Sequence, residues 1–363
     1  MITKVENKKQ LKQFIHYIKD LYKNDPHMVY PIFSVLTKEL TKEVLETKKY
    51  TAILSLQDGE IKGRLLYTID ESKKKDMDIG YFSYFDCVND EKIANELFDY
   101  CLKDLKSQNI NYLEGTFTPY DPDNRRGVLI KGFDSDPIIF TTYNYEYYGE
   151  LLEKVGLTKA IDTVLLNAEV GDASRKRLNT FSKFFNRSHD VRVDSLDYKN
   201  FDRDIDDVHE ILIKATTDIV YQDAPSIDLI RDVAKQMKLF INPDFVRIAR
   251  ENKTNKPVGF CFVLPDFNQI FKKTKGHIRP IRMLLGKKKI TRARGMMQYI
   301  VPEYQNTGLI AHIYQTLFNV FVEQGYTHFE GGTMMEDNPK PINAFKKFGG
   351  EIIKIYRIYG REF

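Results

Sequence analysis

Residues 325–333 read GYTHFEGGT and residues 109–117 read NINYLEGTF, and setting Glu330 on Glu114 lays the chain against itself. Walking backward without a gap, LFDYCLKDL (97–105) falls on IYQTLFNVF (313–321), both with the apolar spacing of a helix. Before these, IGYFSYFDCV (79–88) and RGMMQYIVPE (294–303) alternate as strands do. Forward from the shared glutamate, YYGELLEKVGLTKAIDTVLL (147–166) matches PINAFKKFGGEIIKIYRIYG (341–360) in style. Each is a short helix, a glycine stop at Gly156 or Gly349, and a β-rich strand. Upstream, YTAILSLQDGEIKGRLLYTI (50–69) and FVRIARENKTNKPVGFCFVL (245–264) read as hairpins, turning at Asp58-Gly59 and near Asn252–Lys256. The order strand, helices, hairpin, strand, joint, helix, strand, helix, strand is thus written twice, which predicts an α/β chain of two like halves. The polar stretch VGDASRKR (170–177) sets the boundary, giving domains 1–170 and 171–363.

A chain of 363 residues is long enough to bury two cores, and 42% hydrophobic with 29% charged residues is ordinary for a globular protein. The net charge of +4 is too small to call for nucleic acid, which is not an expected partner. Three scattered cysteines, Cys87, Cys101 and Cys261, offer neither a disulfide framework nor metal-ligand spacing, so no metal is expected and a reducing cytoplasm is. The N-terminal segment is amphipathic rather than signal-like, and no apolar run is long enough to span a bilayer.

The joint between the second half's strand and helix reads YQNTGLIAHIYQTLF (304–318). A glycine-bearing turn there exposes the unpaired N–H groups of a helix start, a natural seat for phosphate, although an ordinary strand-to-helix turn has the same sequence. In the gapless alignment QNTGLI (305–310) falls on NDEKIA (89–94), so Lys92 takes the place of Gly308 and two acids stand where phosphates would rest. The first half is therefore expected to be structural or substrate-shaping.

With Gln305 and Gly308 in a Gln-x-x-Gly arrangement after a strand, the second half resembles the GNAT superfamily of acyl-CoA N-acyltransferases. NPKPINAFKKFGG (338–350) is similar to that family's Asn-x-x-Ala-x-x-x-Tyr-x-x-x-Gly run. The stretches DPHMVYPIFSVL, RRGVLIKGFDSDP, YNYEYYGELLEKVGL and PDFNQIFKKTKGHIRP resemble a tandem branch labelled acetyltransferase-like, some of whose relatives are thought to handle longer acyl chains in lipid synthesis. The resemblance implies two tandem GNAT-like domains, each a mixed, mostly antiparallel sheet flanked by helices. It implies acetyl-CoA or a longer acyl-CoA as co-substrate. Its diphosphate would rest on the amides of Gln305, Asn306, Thr307, Gly308, Leu309 and Ile310, and its pantetheine arm along Ile300 and Val301 of a splayed strand. Asn338 would support the arm near the thioester. The final small residue of the family's phosphate motif is here Ile310. The tyrosine that many members use to protonate the leaving thiolate is here Phe345, which would still border the cofactor, and Leu152 in the first half.

Aminolysis of a thioester needs a neutral amine, a proton route and oxyanion stabilisation. Candidate bases are Glu330, which follows the apolar strand YTHF, and Glu336, in the loop MMEDNPK; Tyr299 can contact the acyl group or stand in for the missing acid. Against these stand a hydrogen-bonded strand carboxylate, a solvated loop acid and core packing. His312 reads as packing. The aromatic and polar cluster TTYNYEYY (141–148) can line an acceptor pocket between the halves. A basic insertion at about 265–294 includes FKKTKGHIRPIRMLLGKKKITRARG (271–295), with ten Lys or Arg and no acid. It reads as a solvated face or as a dock for an acyl-carrier protein or an anionic membrane surface, making the chain cytoplasmic or membrane-peripheral. The leading expectation is acyl transfer from CoA to a small or lipid-like amine. The competitors are an aminoacyl-tRNA-dependent tandem transferase and a catalytically inactive acyl-CoA-binding protein.

Overall fold

The computed structural model describes residues 1–69, 79–116, 126–216, 226–238 and 241–363. Phe117 and Arg125, from two stretches quoted above, lie outside the described residues. The first half runs β1 (Ile2–Lys4), α1 (Lys8–Leu21), α2 (Phe33–Leu40), β2 (Thr51–Gln57), β3 (Glu60–Ile69), β4 (Ile79–Cys87), α3 (Glu91–Ser107), β5 (Tyr112–Gly115), β6 (Val128–Lys131), α4 (Tyr148–Lys154) and β7 (Thr158–Glu169). The second runs α5 (Asp172–Phe185), β8 (Val191–Ser195), α6 (Phe201–Thr216), α7 (Ile227–Met237), β9 (Val246–Glu251), β10 (Pro257–Pro265), α8 (Asn268–Thr274), α9 (Pro280–Lys287), β11 (Arg292–Ile300), α10 (Leu309–Glu323), β12 (His328–Met335), α11 (Pro339–Lys347) and β13 (Glu351–Glu362).

Local chemistry builds these elements where the pattern placed them. Asp58 and Gly59 both take left-handed φ, 51° and 80°, as a two-residue hairpin turn demands, and close β2 on β3 with Gln57 facing Glu60. Leu309, Ile313, Leu317 and Phe321 form one fully buried stripe of α10, the helix spacing read in the sequence. The polar stretch at 170–177 is not an open linker. From Asp172 it is the first turn of α5, which packs on α10.

All thirteen strands among the described residues join one sheet, in the order β1-β2-β3-β4-β5-β13-β7-β12-β11-β10-β9-β8, with β6 also paired to β13. The halves exchange their last strands. β13 pairs antiparallel with β5 of the first half, and β7 pairs antiparallel with β12 of the second. The two exchanged strands pair with each other at the centre, Ile355 facing Val164. Two hydrophobic cores flank this seam, one per half.

Each half also contains one parallel pair, and in each it is short. β4 pairs with β5 only from Ile79↔Tyr112 to Phe82↔Gly115, and β11 with β12 only from Arg292↔His328 to Gly295↔Gly331. Beyond Gly295, β11 keeps its β10 partner while β12 follows β7, so the two strands part. This is the splay that the resemblance implies.

Candidate functional site

Past its parting from β12, β11 ends in a 3-10 turn, Pro302–Tyr304, and residues 305–308 lead into α10. Asn306 takes φ 63° and Gly308 φ 97°. A Cβ on Gly308 would meet nothing nearer than the Phe185 Cβ at 3.9 Å. Glycine is therefore required by the backbone angle, not by crowding, and the space before it is open. The Gln305 amide, expected to hold the diphosphate, is already given to Pro302 O at 3.2 Å, and the amides after it are sparsely used. Thr307 N reaches Tyr304 O at 3.5 Å and Leu309 N reaches Thr307 Oγ1 at 3.4 Å, both long contacts. Among the described residues the amides of Asn306, Gly308 and Ile310 have no partner, and no acid stands in the first turn of the fifteen-residue α10. Unpaired amides and the positive end of a helix dipole together favour an anion.

The first half closes the same position from within. Its joint is only residues 88–90, against 301–308 in the second, so the gapless alignment slips here. The slip lies on the strand side: the buried stripes Ile93, Leu97, Cys101, Leu105 and Leu309, Ile313, Leu317, Phe321 keep Lys92 opposite Gly308, but α3 begins earlier and is capped by Asp90. The Asp90 carboxylate accepts from Lys92 N at 2.9 Å, and Glu91 follows in the first turn. One helix-head amide is thus already taken by the chain's own carboxylate, and two acids stand where a phosphate's charge would be repelled.

Where β11 and β12 part, a cleft of about 130 Å³ opens, with Arg294, Gln298, Tyr314, Gly332, Thr333 and Met334 in its wall. The Tyr314 hydroxyl donates to Gln298 Oε1. The ring is buried against Phe329, Phe345 and Phe348, and burial holds its hydroxyl well above the usual tyrosine range, hence protonated. Sequence reasoning missed this hydroxyl because Tyr314 lies in the apolar stripe of α10 and reads as core. Phe345, expected to border the cofactor, is 1% exposed. It fills the space beneath Gly331, where a Cβ would come within 2.3 Å of its ring, and so presents no surface to a ligand.

One residue back along β12, Glu330 is 3% exposed and lies behind the cleft wall rather than in it. Arg292 Nη2 lies 2.9 Å from its Oε1, while Oε2 has no hydrogen-bond partner among the described residues. Burial pushes the carboxyl up to about 7, against the pull of Arg292, and neighbouring Asp266 is pushed up to about 6 for the same reason. Arg292 Nε stands 3.5 Å from Asp266 Oδ2, too far to hydrogen-bond it. Lys354, also buried, donates to the carbonyls of Gly132 and Ser135. A carboxyl titrating near neutrality with an unsatisfied oxygen is the profile of a proton acceptor. Its repeat partner Glu114 is only half-buried, so the shared residue has two environments.

The remaining candidates scatter. Glu336 is folded back onto β7, 2.7 Å from Lys159 Nζ and accepting from Asp162 N at 3.1 Å, which makes it a strand tether rather than a base facing the cleft. Tyr299 stacks on Phe260, centroids 5.7 Å apart, and is not part of the cleft wall. The Val301 amide is taken by Val258 O at 3.0 Å, and the Ile300 carbonyl accepts from Gln305 Nε2 at 3.3 Å, which fixes the turn. Asn338 is exposed at the start of α11. His312 stacks on Phe185 and contacts Ser182 Oγ at 2.8 Å, joining α10 to α5 as packing.

A second, larger cavity of about 580 Å³ lies between the halves. Tyr30, Val35 and Tyr143 wall it from one side, Leu264, Phe267 and Phe271 from the other. Thr141, Thr142, Asn144 and Tyr148 of the aromatic cluster join them, as does the buried Arg64–Asp86 pair, whose Asp86 Oδ1 takes the Tyr22 hydroxyl at 3.0 Å. Arg294 connects the two spaces. It donates to Gly332 O at 3.1 and 3.0 Å in the cleft wall and to Ile139 O in the cavity wall.

No protein-family model matches the chain. It is similar to Protein YghO of Escherichia coli, 24% identical over an alignment of length 375 that covers 98% of this chain and 94% of that one. It is also similar to a bacterial ceramide synthase of Caulobacter vibrioides, 23% identical, with 99% and 96% covered. Among solved structures, a tandem GNAT protein from the clavulanic acid biosynthesis pathway superposes with a TM-score of 0.58 at 10% identity, covering 100% of this chain and 98% of that one. With its twice-written order of elements, mixed and mostly antiparallel sheet and parted parallel strands, the chain has the tandem GNAT fold, two GNAT-like halves in one polypeptide.

Proposed function

We propose that the chain is an N-acyltransferase whose second half binds an acyl-CoA and whose first half helps enclose an amine acceptor. The observation that carries this reading is the open row of amides at Asn306, Gly308 and Ile310, set at the head of α10 beside the parted strands. A diphosphate on those amides directs the pantetheine arm along the free edge of β11 toward the cleft. The acceptor nitrogen attacks the thioester carbonyl, forming C–N as C–S breaks. Its proton passes inward to the buried Glu330 carboxylate, one residue behind Gly331 of the cleft wall, and the departing sulfur takes the proton of the Tyr314 hydroxyl.

The apolar cavity is of a size that takes drug-sized ligands, and Arg294 of the cleft wall donates to Ile139 O of the cavity wall, which supports an amphiphilic amine as acceptor. The similarity to a protein named as a ceramide synthase supports the same class, since a ceramide is an N-acylated long-chain amine. The test is incubation with acetyl-CoA or palmitoyl-CoA and amines of graded apolar length, with amide products read by mass spectrometry. Expected is amide formation that strengthens with the apolar length of the amine. Thioester left intact by every amine, while CoA still binds, would point to a binding protein instead.

Tyr314→Phe keeps the ring and removes the proton donor. We expect kcat to fall roughly tenfold to hundredfold with KM little changed, at or below the low end for general acid catalysis because a thiolate leaves well unaided. The loss should shrink for thioesters of more acidic thiols; an equal loss for all of them would assign Tyr314 to packing.

A further inference from the structure

The basic insertion folds into α8 and α9, and α9 is left standing on the surface. None of its residues is buried, and Ile281, Leu284 and Leu285 are 74%, 76% and 68% exposed. Five cations in or beside it, Arg279, Arg282, Lys287, Lys288 and Lys289, make no ion pair among the described residues, and no acid lies within 271–295. Large aliphatic side chains held out in water beside unpaired cations are unfavourable for a face that remains free.

Its place in the fold adds an independent observation. Phe33 N, at the start of α2, donates to Gly276 O at 3.0 Å in the α8–α9 connection, and Gly276 lies so close to the Phe33 ring that a Cβ would come within 2.3 Å of it. The two elements are thus fixed to each other. Both reach the large apolar cavity, α2 through Val35 and Leu36 and α8 through Asn268 and Phe271. Val35 both lines the cavity and is 55% exposed, so the cavity opens on this face.

We infer that α9 docks on an anionic lipid bilayer and sets the mouth of the cavity against it. Charge complementarity selects the occupant: aliphatic anchors flanked by cations match an interface of acyl chains and anionic headgroups. A protein partner would be gripped mainly by aromatic anchors, and α9 has none. No helix among the described residues is long and apolar enough to cross a membrane. The inference deepens the acceptor reading by naming the source of an amphiphilic amine, but its test needs no turnover.

The full chain is sedimented with vesicles of phosphatidylcholine alone and of phosphatidylcholine mixed equally with phosphatidylglycerol. Expected is binding to the mixed vesicles that weakens with added salt, and little to the neutral ones. Leu284→Glu with Leu285→Glu should lose at least about tenfold in vesicle affinity, and Ile281→Ser with Leu284→Ser, which adds no charge, should also lose it. CoA binding, read by calorimetry on the same samples, should be unchanged in both variants, which separates failure of docking from failure of the acyl-transfer reading. Wild-type protein left in solution with the anionic vesicles, variants that bind them as well as wild type, or an α9-dependent complex with an acidic protein but not with vesicles would each overturn the inference.

Discussion

Gly308→Glu is expected to lower affinity for CoA at least a hundredfold. Two effects add. The backbone at Gly308 sits at φ 97°, a left-handed angle that costs a side-chain-bearing residue roughly 1–3 kcal/mol. The new carboxylate would stand where the diphosphate rests, and two unit charges about 4 Å apart repel by about 4 kcal/mol at the effective dielectric of a protein surface. Since each 1.4 kcal/mol is about a factor of ten, even half of that repulsion carries the loss past a hundredfold. Gly308→Ala separates the terms: it adds backbone strain without charge and should lose roughly tenfold. Lys92→Glu serves as the control and should leave affinity unchanged, because Asp90 already closes the head of α3. Calorimetric titration with CoA checks all three. Equal losses from Gly308→Glu and Lys92→Glu would contradict the division between halves.

Glu330→Gln is the second large effect, with kcat expected to fall by roughly 10²–10⁴, the range of general base catalysis. Glutamine preserves shape and an oxygen for Arg292 but cannot take a proton. The pH dependence gives the sharper reading. A base works only when ionised, and burial lifts Glu330 to about 7, so wild-type kcat should rise through pH 7 and level off above it. In the variant that step should vanish. The amine titrates as well, so both enzymes must be compared with the same acceptor. CoA affinity should stay within about threefold of wild type, since Glu330 is apart from the amide cradle and a larger change would signal a disturbed fold. A step near pH 7 that survives in Glu330→Gln would assign the proton transfer to another group.

Much of this architecture was legible because it is local. The turn at Asp58-Gly59, the apolar stripe of α10 and the glycine stops after α4 and α11 are set by a few neighbouring residues, and the repeat made each half support the other. The exchange of β7 and β13 was not legible. A strand's sequence records which face is buried, not which neighbour its backbone bonds, and the hydrogen bonds of β7 with β12 are the same in kind as those it would make with β5. The slip at the first joint has a similar origin. A gapless alignment keeps the helix register but cannot see that residues 301–308 replace a connection of residues 88–90, nor that α3 starts early enough for Asp90 to cap it.

At the site, what was legible was backbone chemistry and what was hidden was side-chain environment. Gly308 marked the strand-to-helix turn, and the structure shows why glycine stands there: a left-handed angle, φ 97°. Glu336 and Glu330 were equal candidates as carboxylates, yet one is neutralised by Lys159 at the surface while the other is buried with an unsatisfied oxygen. Tyr314 and Phe345 show the same thing: the family's tyrosine position is filled by an inert ring, and the hydroxyl that reaches the cleft comes from the neighbouring helix.

The most direct measurement of the central claim is the stoichiometry of CoA on the intact chain, by native mass spectrometry and by calorimetry. Expected is one CoA per chain, abolished by Gly308→Glu, because one half leaves its helix-head amides open to an anion and the other sets two carboxylates at its helix head, one of them capping Lys92 N. Two CoA per chain, or none, would contradict it.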